Sequence, residues 1–216
     1  MYTNLTAFQV YVPILMLLVA AVGGLVHYHR LPQKLRYVAG AVGWALLIEL
    51  AARFLLFYKI PNLFLIPLDL IGEFAVLALA YRVALHSPTF SRWLPWLLGG
   101  FATYALISGL AEPGVIRFRP ELQVLENILL LLLVLLYFRK LLNELAIRRL
   151  EHDPMFWLST GLFMYSLGGI QISLFSNYLL QHYSSQLNIA VWFVHALLVL
   201  ILYSCYAVVL WMRPQK

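Results

Sequence analysis

The sequence predicts an all-α integral membrane protein, a seven-transmembrane-helix bundle, and three observations predict it. The 216-residue chain is 63% hydrophobic and only 11% charged, whereas a soluble domain carries about 25% charged residues. Such a composition cannot cover a water-facing surface, so the bilayer has to act as the solvent. Seven apolar stretches alternate with short polar connections, each stretch long enough to cross about 30 Å of hydrocarbon. The Lys and Arg residues crowd every second connection, which is the bias that orients membrane proteins.

The spans fall at 8–28, 36–58, 62–85, 92–111, 121–142, 155–180 and 187–212, a single transmembrane domain over residues 1–216. The first follows MYTNLTAFQV, which lacks the basic leader of a signal peptide, and no A-x-A-like site closes it; a retained helix is expected. Helix breakers separate the rest: Leu31-Pro32-Gln33, Pro61-Asn62, Pro88, Pro113-Gly114, Pro120, Asp153-Pro154 and Ser184-Ser185. Pro67 and Pro95 are read into the first turns of their helices, where proline is tolerated. Apolar residues do not alternate with period two, which disfavours a membrane β-barrel. With nearly all residues spent on spans, a soluble catalytic, kinase or nucleic-acid-binding domain is not expected.

Orientation follows from the basic residues. Arg30, Lys34, Arg36, Arg82, Arg92, Arg139, Lys140, Arg148, Arg149, Arg213 and Lys216 belong to one side, and Lys59, Arg117 and Arg119 to the other. The side with eleven is read as cytoplasmic, which puts the N-terminus outside and the C-terminus cytoplasmic. An odd number of spans requires the same separation. The net charge of +6 is then a membrane-protein bias rather than a sign of an acidic partner. Trp93, Trp96, Trp157 and Trp211 stand near span ends, the depth that interfacial anchors favour. The lone cysteine, Cys205, is read as a buried thiol with no intrachain disulfide and no Cys-based metal site.

Five ionisable side chains interrupt the apolar spans: Glu49, Arg53, Asp69, Glu73 and Glu126. Charges in hydrocarbon are expensive, and they face a bundle interior or a wet cavity. Glu49 and Arg53 are i and i+4 on span two, and Asp69 and Glu73 have the same spacing on span three, so each couple shares a face. At about 1.5 Å per residue, all five lie near the midplane or in the outer half. Gln171 and Asn177 on span six, and Trp192 and His195 on span seven, reach the same depth. The inner halves read as almost purely apolar, which predicts a polar pocket open to the outside and closed below. Four carboxylates against one Arg and one His leave negative charge that a proton, a cation or a cationic ligand must balance. A purely structural role stays open: Arg53 could clamp Glu49 or Asp69, and Glu73 could bond a neighbouring helix. Gly161, Gly168 and Gly169 are read as close helix packing, and His27 and His29 as a solvated pair.

Several chemistries are missing from the sequence. Span seven has no lysine for a retinal Schiff base, and one intramembrane histidine cannot make a His-rich zinc site or a bis-His haem site. There is no GxSxG, P-loop or HExxH motif. No cofactor is predicted; a bound cation or lipid fits the acid-rich pocket, and no metal is specified.

The run Phe156-Trp157, Gly161, Tyr165, Gly168, Phe175 and Asn177-Tyr178, with Glu49, Asn62 and Glu73 upstream, resembles one group. It is similar to uncharacterised small seven-helix membrane proteins of Bacteroidota-type bacteria, often encoded beside histidine kinases. That resemblance implies a bacterial inner-membrane location and a sensory role, with no catalytic residues to carry over. The expectation is a receptor-like protein whose outer-half pocket binds a small ligand or cation. Its partners would be the bilayer and a cytoplasmic or membrane signalling protein such as a histidine kinase, met through the basic segment 139–153. The oligomeric state stays open. A small-solute or proton-coupled transporter is the alternative. An intramembrane lipid enzyme using His195 and a carboxylate has the least support.

Overall fold

A computed structural model describes residues 2–110, 120–144, 150–182 and 185–212, with side-chain surroundings for 11–108, 120–143, 150–174 and 190–212. Among these residues every α-helix corresponds to one predicted span: α1 (Tyr2–His27), α2 (Gln33–Phe57), α3 (Leu65–Leu85), α4 (Pro88–Leu110), α5 (Pro120–Glu144), α6 (Pro154–His182) and α7 (Ser185–Trp211). Short 3₁₀ turns cover Tyr28–Arg30 and Leu150–His152. No strand occurs among the described residues.

Four stretches, Tyr11–Arg30, Gln33–Phe57, Pro120–Asn143 and Ala190–Trp211, are long and apolar enough to cross a membrane. They mark the chain as a membrane protein. α3 is more heavily charged, with Asp69, Glu73 and Arg82 in 21 residues. It is also among the most enclosed helices, burying Leu70, Phe74, Leu77, Ala78, Ala80 and Tyr81.

The packing order explains that enclosure. α1 lies against α7 and α2, α2 against α3, α3 against α5, α5 against α6, and α6 against α7, which closes a ring. α4 packs chiefly on α3. The ring interior is filled by Leu17, Val38, Phe74, Leu130, Leu158 and Tyr206, all nearly inaccessible. The exterior is apolar too: Leu25, Phe57 and Trp96 are each more than 70% exposed. An outward apolar face of this extent suits lipid rather than water.

One proline sits differently from the expectation. Pro88 opens α4, as Pro120 and Pro154 open α5 and α6, and Ser87 caps the helix: the Phe90 amide donates to Ser87 Oγ at 3.3 Å and the Ser91 amide to the Ser87 carbonyl at 3.0 Å. Proline is well suited to the first helical position, where its missing N–H is not needed. Pro95 therefore lies inside α4, two turns in, and not in its first turn. It removes the helical bond to the Ser91 carbonyl, a loss tolerated within membrane bundles.

Helix ends are closed by specific contacts. α2 ends in a Schellman arrangement, with the Lys59 amide on the Leu56 carbonyl and the Ile60 amide on the Leu55 carbonyl. Lys59 takes the left-handed conformation, φ 57°, that this motif demands. The last carbonyls of α3 receive Lys140 Nζ from α5, at 2.8 Å to Ala84 and 3.1 Å to Leu85. A cation there also complements the helix dipole.

The glycines on α6 work as the spacing suggested. A Cβ on Gly161 would meet Cys205 Cβ of α7 at 2.8 Å, and one on Gly168 would overlap Leu198 of α7. One on Gly169 would press Asn127 of α5 at 3.0 Å. Small residues at these positions let the helix backbones approach. His27 departs from the solvated-pair reading. Its Nδ1 lies 3.1 Å from the Gly23 carbonyl, and its ring packs edge-on to Trp211 at 5.5 Å.

Candidate functional site

The α1–α2 and α3–α4 connections, the end of α5 and the start of α6 share one end of the bundle, called here the basic end, as the Lys34–Asp153 and Lys140–Ala84 contacts show; the α2–α3 connection lies at the far end. In the far half, α1, α2 and α7 line a half-open cavity of about 410 Å³, within the ~300–1,000 Å³ typical of small-molecule pockets. Glu49 and Arg53 line one wall, Trp192, His195 and Tyr203 another, and Pro13, Ile14 and Leu17 of α1 a third. Helical spacing produces the first wall: Glu49 and Arg53 are one turn apart, and both Arg53 Nε and Nη2 reach Glu49 Oε1, at 2.9 and 2.7 Å. The same spacing produces the second, where the Trp192 and His195 rings meet edge-on at 5.7 Å. Tyr165 of α6 backs His195 at 6.2 Å.

The other predicted carboxylates do not line this cavity. They lie deeper, between α3 and α5. Glu73 Oε1 accepts a hydrogen bond from Tyr206 Oη of α7 at 3.2 Å. Asp69 and Glu73 are both within electrostatic reach of Glu126, and Glu49 is within reach of Asp69. Glu126 is 1% exposed. Its Oε1, with Asp69 Oδ1, Asn127 Oδ1 and Ser166 Oγ, has no hydrogen-bond partner among the described residues. Orphaned buried acceptors of this kind call for a ligand, a proton or a water. Among the described residues no three His, Cys, Asp or Glu side chains group to hold a metal ion. Tyr203 joins the two zones: it lines the cavity and lies within electrostatic reach of Glu49, Asp69 and Glu73.

The apolar floor expected beneath the pocket is not what the structure shows. Below Glu73 and Tyr206, Tyr81 Oη of α3 and Ser159 Oγ of α6 share a buried hydrogen bond of 2.8 Å. Nearer the basic end, Tyr137 Oη of α5 donates to Asp153 Oδ2. Asp153 Oδ1 also accepts from the Met155 amide at 3.2 Å and lies 3.7 Å from Lys34 Nζ of α2. The sequence reading followed formal charges and counted tyrosines as apolar or interfacial. A tyrosine buried among helices still needs a partner for its hydroxyl, and that need was the available signal. Asp153 was read only as a breaker with Pro154, although Asp before Pro also marks a helix start.

Of the nine predicted site residues, Glu49, Arg53, Trp192 and His195 meet at the cavity, and Asp69, Glu73 and Glu126 form the deeper group. Gln171 is exposed and does not line the cavity. The side chain of Asn177 lies outside the described residues, as do positions 145–149 of the segment assigned to a partner. The contributions of α1 and of Tyr203 were missed, because Pro13, Ile14 and Leu17 carry no charge to draw attention to them. No protein-family model, no curated protein and no solved structure matches this chain.

Proposed function

We propose that the chain is a seven-span receptor-like protein of a bacterial inner membrane, with its N-terminus outside and C-terminus in the cytoplasm. It binds a small ligand or cation in the far-end cavity and signals through a separate partner. The charge bias supports the orientation: eleven Lys and Arg belong to the basic end in sequence, which faces the cytoplasm by the positive-inside rule. One observation carries the binding role. A hydrogen-bonded ion pair, a histidine and two further aromatic rings converge on one cavity of ligand size. The pair is only about 40% exposed at either partner, so a charged ligand can compete for it without full water screening. A cation would be drawn to Glu49 and to the faces of Trp192 and Tyr203. The resemblance to seven-helix proteins encoded beside histidine kinases supports a partner of that kind.

Thermal unfolding of the purified protein against a panel of metal cations, amines and zwitterions tests this. A ligand at a hundred times its Kd stabilises the folded state by about 2.7 kcal/mol. The expected result is a rise in Tm that Glu49→Gln and His195→Ala abolish and Gln171→Ala keeps. Compounds that shift all three variants like the wild type, or a panel that leaves the wild type unmoved, would overturn the reading.

A proton-coupled transporter is the second reading, favoured by the orphaned oxygens of Asp69 and Glu126. Solute uptake into liposomes that ignores Glu73→Gln and Glu126→Gln would sink it.

A further inference from the structure

The polar groups between the carboxylates and the basic end form a series. Three hydrogen-bonded pairs follow one another: Tyr206 with Glu73 at 3.2 Å, Tyr81 with Ser159 at 2.8 Å, and Tyr137 with Asp153. Each pair ties different parts of the bundle, respectively α7 to α3, α3 to α6, and α5 to the residue that precedes α6. The three tyrosines belong to one buried core cluster, and the Tyr81 and Tyr137 rings stand edge-on at 6.1 Å. Tyr81, Tyr206 and Ser159 are 1% exposed or less. The series ends at Asp153, whose partner Lys34 is 33% exposed at the basic end.

We propose that this series is a proton path connecting the Asp69–Glu73–Glu126 carboxylates to Asp153 at the basic end. A hydroxyl is suited to the task because it accepts a proton on a lone pair while releasing its own. Glu73 takes the proton of Tyr206 Oη. Tyr206 is refilled from the Tyr81–Ser159 pair, that pair from Tyr137, and Tyr137 from Asp153, which takes a proton from water at the surface. Water molecules carry the proton across the intervals between pairs. One proton enters at Asp153 and one arrives at Glu73, and every hydroxyl ends as it began. The Tyr81–Ser159 bond can be donated from either side; Tyr137 Oη, which donates to Asp153 Oδ2 at rest, has to rotate to accept from a protonated Asp153.

The charges around each terminus fit these roles. Glu73 is bonded by Tyr206 of α7 and lies within electrostatic reach of Asp69 on its own helix, Glu126 of α5, Tyr165 of α6 and Tyr203 of α7. No cation among the described residues is paired with Glu73, so a proton is the simplest counter-charge. Asp153 faces Tyr137 and Lys34, with Glu151 and His152 beside it on the surface. The path is independent of ligand binding: a chain that binds nothing in the far-end cavity would still carry it.

Infrared-detected hydrogen–deuterium exchange of carboxyl groups, on the full chain in phosphatidylcholine vesicles transferred to D₂O, tests the path. The expected result is a carboxyl band, lost in Glu73→Gln, that exchanges at least about tenfold more slowly in Tyr206→Phe and Tyr81→Phe, each of which removes one linking hydroxyl. The rate should not change in Gln171→Ala, an exposed side chain outside both the cavity and the series. Equal rates in wild type and both Tyr→Phe variants would overturn the proposal, as would slowing by Gln171→Ala alone or the absence of any Glu73 band. Should Tyr81→Phe fail to fold, Ser159→Ala breaks the same link. A merely structural hydroxyl would lower Tm without altering the exchange rate.

Discussion

Replacing Asp153 with alanine is expected to lower the unfolding free energy by about 3 kcal/mol. Three contacts end together. The first is the cap on the Met155 amide at the start of α6, for which removal costs about 1 kcal/mol. The second is the acceptor for Tyr137 Oη, a hydroxyl on a 5% exposed residue, and leaving a buried donor unpaired costs about 1–3 kcal/mol. The third is the ion pair with Lys34 at 3.7 Å, which is partly screened and contributes under about 1 kcal/mol. Asp153→Asn keeps the cap through its single amide oxygen but offers Tyr137 Oη only an NH₂ donor, so its loss should be intermediate, about 1–2 kcal/mol. Denaturant titration in mixed micelles reads the difference. If Asp153→Ala unfolds within about 0.5 kcal/mol of wild type, Asp153 is no hub. The variant should also disturb α2, α5 and α6 together, because one side chain ties all three at the basic end.

Gly72→Ala carries the second large effect, a loss of about 2–3 kcal/mol. A Cβ at Gly72 would fall within the Trp44 indole, and that rigid ring has no flexible end to yield. The ring is pinned because Trp44 Nε1 donates to the Asp69 carbonyl at 3.3 Å. Displacing it loosens the α2–α3 contact that holds Glu49 near Asp69, so ligand-dependent stabilisation should weaken as well. Trp44→Ala in the same chain should recover part of the loss, and a double-mutant cycle measures that coupling. Gly43→Ala is the control. Nothing lies within 4 Å of the Cβ position there, and alanine's better helix propensity should add up to about 1 kcal/mol. Equal stability in the two glycine variants would refute the close approach of Trp44.

How far the sequence speaks depends on the residue. The helix limits were legible because hydrocarbon thickness sets the length of each apolar run and prolines punctuate them, as Pro120 and Pro154 do at the starts of α5 and α6. The Glu49–Arg53 pair and the Trp192–His195 contact were legible because i, i+4 and i, i+3 residues share a helix face whatever surrounds it. The glycines of α6 were readable for the same reason, since close packing in membranes selects small residues. The position of Pro95 was misread because the α4 start depends on Ser87 and not on hydropathy.

The division of the acids into two groups was not legible. Helical phase shows which residues share a face, but not which helix that face meets. Only the ring order, with α2 between α1 and α3 and α3 next to α5, sends Glu49 and Arg53 to the cavity and Glu73 and Glu126 inward. The tyrosine series was hidden for a similar reason. Tyr81, Tyr137 and Tyr206 come from three helices, and their hydroxyls gain a role only when packing denies them water.

By itself, then, the sequence determined that this chain is a helical membrane protein, where its helices run, and which charges interrupt them. Those are consequences of composition, length and local period. The tertiary structure decided which charges meet, which stay unpaired, and that buried hydroxyls continue from them to the basic end. Those outcomes depend on contacts between residues far apart in the chain, such as Tyr206 with Glu73 and Tyr81 with Ser159, and no local pattern encodes them.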